Sequence, residues 1–171
     1  TVLRDQKPPV FCSRSMVLKS FETKGMEYLK TLIRKNLEDC IKLIEWNYQH
    51  NINVFRLSSD LFPHKSNPKA PKYTFDFALD LLEQIGQLAR KYNQRLSFHP
   101  GQFCVLASDS GDVVERSIEE FEYHADMTRM MGFGQQFQDF KINVHISGRK
   151  GPQGIRDVYS RLSPEARNCL T

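Results

Sequence analysis

Two of the five histidines, His99 and His145, each fall at or near the end of a short apolar run: Arg95-Leu96-Ser97-Phe98-His99 and Phe140-Lys141-Ile142-Asn143-Val144-His145-Ile146. Both runs read as strands, which places each imidazole at a strand's carboxyl end, where α/β proteins gather ligands and metals. Neighbouring strands lie ~5 Å apart, close enough for the two rings to serve one metal cluster. The alternative is a pair of rim histidines hydrogen-bonded to backbone, and spacing alone leaves both readings open. A third histidine, His64, lies in the loop after an earlier strand and could approach the same face, although a histidine among proline and lysine is ordinarily exposed. His50 follows a helix and His124 lies inside one, so both read as surface or packing residues.

No Ser-His-Asp or Cys-His pattern stands out. Cys104 follows His99 by five residues, but nothing nearby would lower its pKa enough for a thiolate nucleophile. Metal-assisted hydrolysis, in which a bound cation activates water and steadies charge on a phosphate, suits the histidines better. The loop His99-Pro100-Gly101-Gln102-Phe103 is the most informative. Pro and Gly force a turn that holds an amide and an aromatic ring beyond the strand end, a combination suited to stacking on a base and bonding its edge. On physics alone the blander arrangement, Phe103 packed beneath the loop and Gln102 solvated, is favoured.

The elements that must carry these residues alternate. Leu29, Leu32, Ile33, Leu37, Cys40, Ile41 and Ile44 recur at helical spacing between Met26 and Gln49, and Asn51 breaks the helix. Asn53–Leu57 reads as a strand, followed by a loop over residues 61–71 rich in Pro, Lys and Asn. Thr74 is placed to cap a helix to Tyr92 with Phe77, Leu81, Leu82, Ile85 and Leu88 as its stripe, ended by Asn93-Gln94. Asp112 and Glu115 resemble a capping box for a third helix to Met131, ended by Gly132 and Gly134. A short helix over residues 153–161 and a further turn begun by Ser163-Pro164-Glu165 close the chain. The first twenty-odd residues, with Pro8-Pro9, read as loop. Strands alternating with helices predict a parallel sheet, either doubly wound or a barrel. No GxGxxG follows a strand, which counts against dinucleotide binding. Three visible strands fall short of a complete barrel, which takes ~250 residues.

Hydrophobic residues are 40% and charged residues 26% of the 171, normal for a folded domain. No run reaches the ~18 apolar residues of a membrane helix, and the opening residues lack a secretory core. The expectation is one domain over residues 1–171, no membrane association and an intracellular protein, with nucleus, cytoplasm or a viral origin open. Cys12, Cys40, Cys104 and Cys169 form no CxxC pair, so reduced thiols are expected rather than a structural zinc site, with Cys40 a small buried hydrophobe. The net charge of +4 is uneven. Residues 1–72 hold thirteen Lys/Arg against seven Asp/Glu, and residues 73–171 eleven against thirteen. A basic first part is compatible with a phosphate-bearing partner, although an ordinary solvated surface accounts for it too.

The chain resembles the UV damage endonuclease family over essentially its whole length. The matching motifs are Phe55-Arg56-Leu57-Ser58-Ser59-Asp60-Leu61-Phe62-Pro63, Arg95-Leu96-Ser97-Phe98-His99-Pro100-Gly101-Gln102-Phe103, Val113-Val114-Glu115-Arg116-Ser117-Ile118 with Tyr123-His124-Ala125, and Ile142-Asn143-Val144-His145-Ile146-Ser147-Gly148. Lys7-Pro8-Pro9-Val10-Phe11-Cys12-Ser13-Arg14 is similar to the N-terminal loop of some members.

The resemblance implies a TIM (β/α)8 barrel, here partial and incomplete at both ends, with a cluster of divalent ions, commonly manganese. It implies cleavage of damaged double-stranded DNA immediately 5′ of ultraviolet photoproducts, and often of abasic sites. His99 and His145 match family metal ligands, and Gln102 matches the glutamine of a Gln-Tyr pair that enters the DNA at the lesion, with Phe103 in the tyrosine's place. Asn67 aligns with a metal-binding histidine, and His64, three residues earlier, is the candidate to replace it. Asparagine is a harder, weaker ligand than imidazole. Family members carry further acidic and histidine ligands beyond Cys169-Leu170-Thr171, which implies little or no nuclease activity for these 171 residues alone. Two rival expectations stand beside this one: a related metal-dependent barrel such as a sugar isomerase, and a non-catalytic DNA-binding remnant.

Overall fold

Each strand is entered from a helix whose end is followed by a residue in left-handed backbone. Helix α1 (Leu18–Gln49) is followed by Asn51 at φ 56°, α2 (Leu79–Lys91) by Asn93 at φ 50°, and α3 (Gly111–Met130) by Gly132 at φ 79°. Asparagine and glycine enter that region at least cost, and each releases the chain toward the next strand: β1 (Val54–Arg56), β2 (Arg95–Phe98) and β3 (Lys141–Ile142). Helices α4 (Gly151–Tyr159) and α5 (Pro164–Cys169) complete the alternation in this computed structural model, which describes residues 2–146 and 148–171. The strand order is β1-β2-β3. The chain divides into two compact units, residues 1–96 and 97–171, with the division running through β2. The α/β class with parallel pairing is as the sequence predicts. Among the described residues no helix is long and apolar enough to cross a membrane.

In the first unit, α1 buries Leu29, Ile33, Leu37, Cys40, Leu43 and Ile44. The same helix also buries three polar residues that the apolar pattern does not reveal: Asn36, Asp39 and Asn47. Asn36 accepts from Arg14 N (2.9 Å) and donates to Arg14 O (2.9 Å) and Asp60 O (3.3 Å). Asp39 takes Arg14 at 2.6 Å, Lys35 at 3.1 Å and Lys42 at 3.2 Å. Burial alone would raise its carboxyl, but these three cations more than offset it and hold Asp39 below the usual carboxylate range. The polar side of α1 thereby clamps both the N-terminal arm and the loop after β1. Cys40 is buried as expected, and its coupling with the Cys12 thiol lowers Cys12 and raises Cys40. All four cysteines are free and buried.

In the second unit β2 and β3 run parallel, Ser97 opposite Lys141 and Phe98 opposite Ile142. Leu170 makes a parallel bridge to Ile142 on that residue's other side, with Thr171 N donating to Ile142 O (3.1 Å) and Val144 N to Thr171 O (3.0 Å). Helix α3 covers the apolar face: Phe121, His124 and Met127 are fully buried, and the His124 ring stands edge-on to Phe98 at 5.1 Å.

Four local expectations are corrected. Residues 18–24 are already helical, and Gly25 (φ 74°, ψ −176°) breaks the helix before it resumes at Met26, the predicted start. Thr74 does not cap α2; its hydroxyl donates to Asp76 (2.7 Å) ahead of a 3-10 turn over Asp76–Ala78. Asp112 is not an N-cap either, because α3 begins at Gly111. It sits in the first turn, where its charge favours the helix dipole, and Glu115 turns away to grip Arg161 (2.6 and 2.7 Å). The third strand is two residues long rather than seven. By contrast Ser163 caps α5 as read, accepting from Ala166 N at 3.1 Å.

His124 makes the second unit acid-sensitive. Burial pushes its imidazole down to about 4, outweighing the bond from Nδ1 to Glu120 O (2.7 Å), which acts to raise it, and among the described residues Nε2 has no partner. An unfolded histidine titrates near 6.5, so between pH 6.5 and 4 the unfolded chain binds the extra proton and stability falls as pH falls. That loss amounts to roughly 3 kcal/mol. Urea unfolding of the wild type and His124→Phe across this window should show a flatter pH slope in the variant; parallel slopes would assign the acid sensitivity to other groups.

Candidate metal and nucleic-acid site

The parallel register carries His99 and His145 off the same end of adjacent strands, with Asn143 next in register opposite His99 and His145 two residues further on. Asn143 N donates to Phe98 O (3.0 Å), and the rings meet edge to face, centroids 4.6 Å apart at 86°. Both are half-buried. The sequence expectation that they approach each other is met.

Hydrogen bonding separates this pair from the other three histidines. His50 is exposed, with Nδ1 bonded to Trp46 O (2.8 Å) and its ring stacked on Trp46 at 3.8 Å. His124 is locked in the core. His64 is half-buried rather than exposed: Nε2 donates to Met16 O (2.7 Å) and Nδ1 accepts from Asn67 Nδ2 (3.3 Å). Asn67 in turn uses its carbonyl to accept from Lys69 N (3.0 Å). His64 and Asn67 are therefore bonded to each other and to their own unit. Neither His99 nor His145 has a hydrogen bond from its ring among the described residues.

Two imidazoles this close fit the role of neighbouring ligands to one divalent ion, each nitrogen at the ~2.0–2.1 Å usual for a small cation such as zinc. They do not complete a site: among the described residues no group of three or more His, Cys, Asp or Glu could hold a metal ion. Cys104 adds no nucleophile, since burial, with Glu120 nearby, pushes its thiol up to about 12.

The chain leaves His99 through Pro100 and turns tightly, with Cys104 N donating to Gly101 O at 2.9 Å. Gln102 and Phe103 occupy the corner of that turn. Both are exposed, Phe103 by 85%, so the arrangement with Phe103 tucked beneath the loop is overturned. A ring that projects this far has no packing role in the unit.

The loops after the two histidines touch through backbone. Lys150 N donates to Ala107 O (3.1 Å). A Cβ on Gly148 would lie 2.0 Å from Ala107 O, and one on Gly154 would lie 2.7 Å from Ala107 Cα. This crossing was not apparent in the sequence, where Gly148 reads only as the end of a strand; the recurrence of glycine at 148, 151 and 154 was the available signal. Arg149, exposed beside it, pairs with Asp109 at 3.3 Å.

The family model described as UV-endonuclease UvdE matches residues 1–169. A UV-damage endonuclease of Schizosaccharomyces pombe is 38% identical over 176 residues, covering 99% of this chain and 29% of that protein. A UV DNA damage endonuclease of Bacillus mycoides is 32% identical over 134 residues, covering 78% of this chain and 41% of that protein. The crystal structure of SacUVDE superposes with a TM-score of 0.82 at 29% identity, over 94% of this chain and 54% of that one. The chain thus spans less than half the length of the two relatives.

The loop crossing predicts a contrast between two glycines. Gly148→Ala drives a methyl into the Ala107 carbonyl and should cost about 1–3 kcal/mol of stability. Gly101→Ala meets nothing within 4 Å and should cost less than about 1 kcal/mol. Thermal unfolding of both variants checks this, and equal losses would dismiss the crossing as a constraint.

Proposed function

We propose that this chain, which belongs to the UV-endonuclease UvdE family, is part of a metal-dependent nuclease acting on ultraviolet-damaged duplex DNA. The reaction in this reading is cleavage of the backbone on the 5′ side of the lesion, with abasic sites as further substrates. The observation that carries it is the His99–His145 ring pair at 4.6 Å, with the chain running from His99 directly into a turn where Phe103 is 85% exposed. The fold proposed for the whole protein is a (β/α)8 barrel, to which residues 1–171 belong as part of a single domain. The regular alternation of helices with strands supports this, as does the likeness to SacUVDE.

Neutral imidazoles of His99 and His145 would hold a divalent ion, manganese in our reading, with its other ligands from elsewhere in the full protein. When bound, that ion supplies Lewis acidity toward a phosphate and lowers the pKa of a water. We assign neither His64 nor Asn67 to it, because both are engaged in the bonding of their own loop. Gln102 and Phe103 engage the DNA, the ring stacking on a base exposed at the distorted site and the amide bonding a base edge. Phenylalanine retains the stacking of an aromatic probe without a phenolic hydroxyl. Lys150, exposed in the loop after His145, adds positive charge for the backbone phosphates.

The test is nicking of irradiated against unirradiated duplex by the full-length protein, with manganese and with chelator. His99→Ala and His145→Ala should each lower nicking by at least about 100-fold. Phe103→Ala should lower kcat/KM on lesion DNA by roughly 5- to 150-fold, the worth of one stacked base. Nicking that survives chelator or both histidine changes would sink the metal assignment. Lesion binding with no metal-dependent cleavage would mark a non-catalytic binder instead.

A further inference from the structure

We propose that Ser117, in the second turn of α3, is a positioning residue for the Gln102-Phe103 turn; this rests on the reading of that turn as the element that engages DNA. Ser117 is 1% exposed. Its hydroxyl donates to Val113 O (2.7 Å), the ordinary backward bond of a helical serine. The same oxygen also accepts from Val105 N (2.8 Å), twelve residues away in sequence. Cys104, 3% exposed, donates its thiol to the Ser117 carbonyl (3.5 Å). Both residues that follow Phe103 are therefore tied to one residue of α3.

The exposed ring demands such an anchor. Phe103 has almost no contact of its own to hold its direction, so the backbone leaving the turn must fix it. Upstream, the turn is rooted in β2 through His99 and buried Pro100. Downstream, Leu106 and Ala107 are buried, but between them and the ring Val105 N is held by the Ser117 hydroxyl. Without that acceptor the turn keeps its fold at both ends and loses its stiffness in the middle. An aromatic probe pressed against a base stack then yields rather than enters, and binding pays the ordering entropy that the hydroxyl had removed in advance.

The experiment uses full-length protein and a duplex bearing a single thymine photodimer. The variants are Ser117→Ala, Ser117→Thr, Ser117→Val, Phe103→Ala and the double Ser117→Ala/Phe103→Ala. Threonine can keep both hydroxyl bonds, since its Oγ1 reaches the i−4 carbonyl in a helix; valine has the same shape without the oxygen. Ser117→Ala should lower kcat/KM about tenfold, mainly through KM. Ser117→Thr should exceed Ser117→Val by a similar factor, a comparison that stands even if the alanine variant folds poorly. The double variant should be no worse than Phe103→Ala, because a residue that acts through the ring has nothing left to position once the ring is gone. If the double variant instead loses the product of the two single effects, or threonine and valine behave alike, Ser117 is structural only and the proposal falls while the probe reading stands. If Phe103→Ala itself leaves kcat/KM unchanged, the probe reading and this proposal fall together.

Discussion

The pairing of Ser97-Phe98 with Lys141-Ile142 is the constraint on which the candidate site depends. Because the two strands are parallel and in register, the residues that follow them leave at the same end. The bond from Asn143 N to Phe98 O extends the ladder one step beyond the assigned strand. His99 follows Phe98 directly, and His145 lies three residues beyond Ile142. A shift of one residue would send one of the rings to the other face of the sheet. The apolar side of the ladder guards against that shift, since Phe98 and Ile142 are fully buried and Phe140 nearly so. A hydrophobic core thus specifies the geometry of a polar site that it never touches.

The same division explains what could be read from the sequence. The α/β alternation was legible because long amphipathic helices have an apolar period and end on Asn51, Asn93 and Gly132, whose left-handed conformations are a matter of residue type. The approach of His99 to His145 was legible because each follows a strand. Strand lengths were not, because apolar runs such as Phe140–Ile146 continue past the two residues that assign as β3. The capping reading of Asp112 failed by a small displacement: Ser110 takes the N-cap position, and the carboxylate then serves the first turn rather than the cap. Asn36 and Asp39 escaped the pattern altogether, because a helical period weighs hydrophobicity and these residues are buried to bond Arg14, twenty-odd residues away.

Contacts between loops were the least legible part. The approach of Gly148 and Gly154 to Ala107 is made by backbone, and the sequence records it only as small side chains with no partner named. Ser117 is equally silent: a serine within a helix commonly bonds its own turn, and its second bond, to Val105 N, follows from the path of a loop. Both features serve one end. They hold the segment between His99 and α3 from within the unit, while its outward surface is left to Gln102 and Phe103.

The five histidines differ less in residue type than in what their rings bond. His64 sits in the loop after β1, near the position the family resemblance would give to a metal ligand, yet both its nitrogens are engaged by Met16 and Asn67. His124 belongs to a matching motif, yet it is sealed in the core with one nitrogen given to its own helix. His99 and His145 alone combine partial burial with rings that take no hydrogen bond from the described residues. Partial burial orients an imidazole at modest desolvation cost, and an uncommitted nitrogen is what a cation requires, because a ring nitrogen that already donates or accepts must break that bond before it can coordinate.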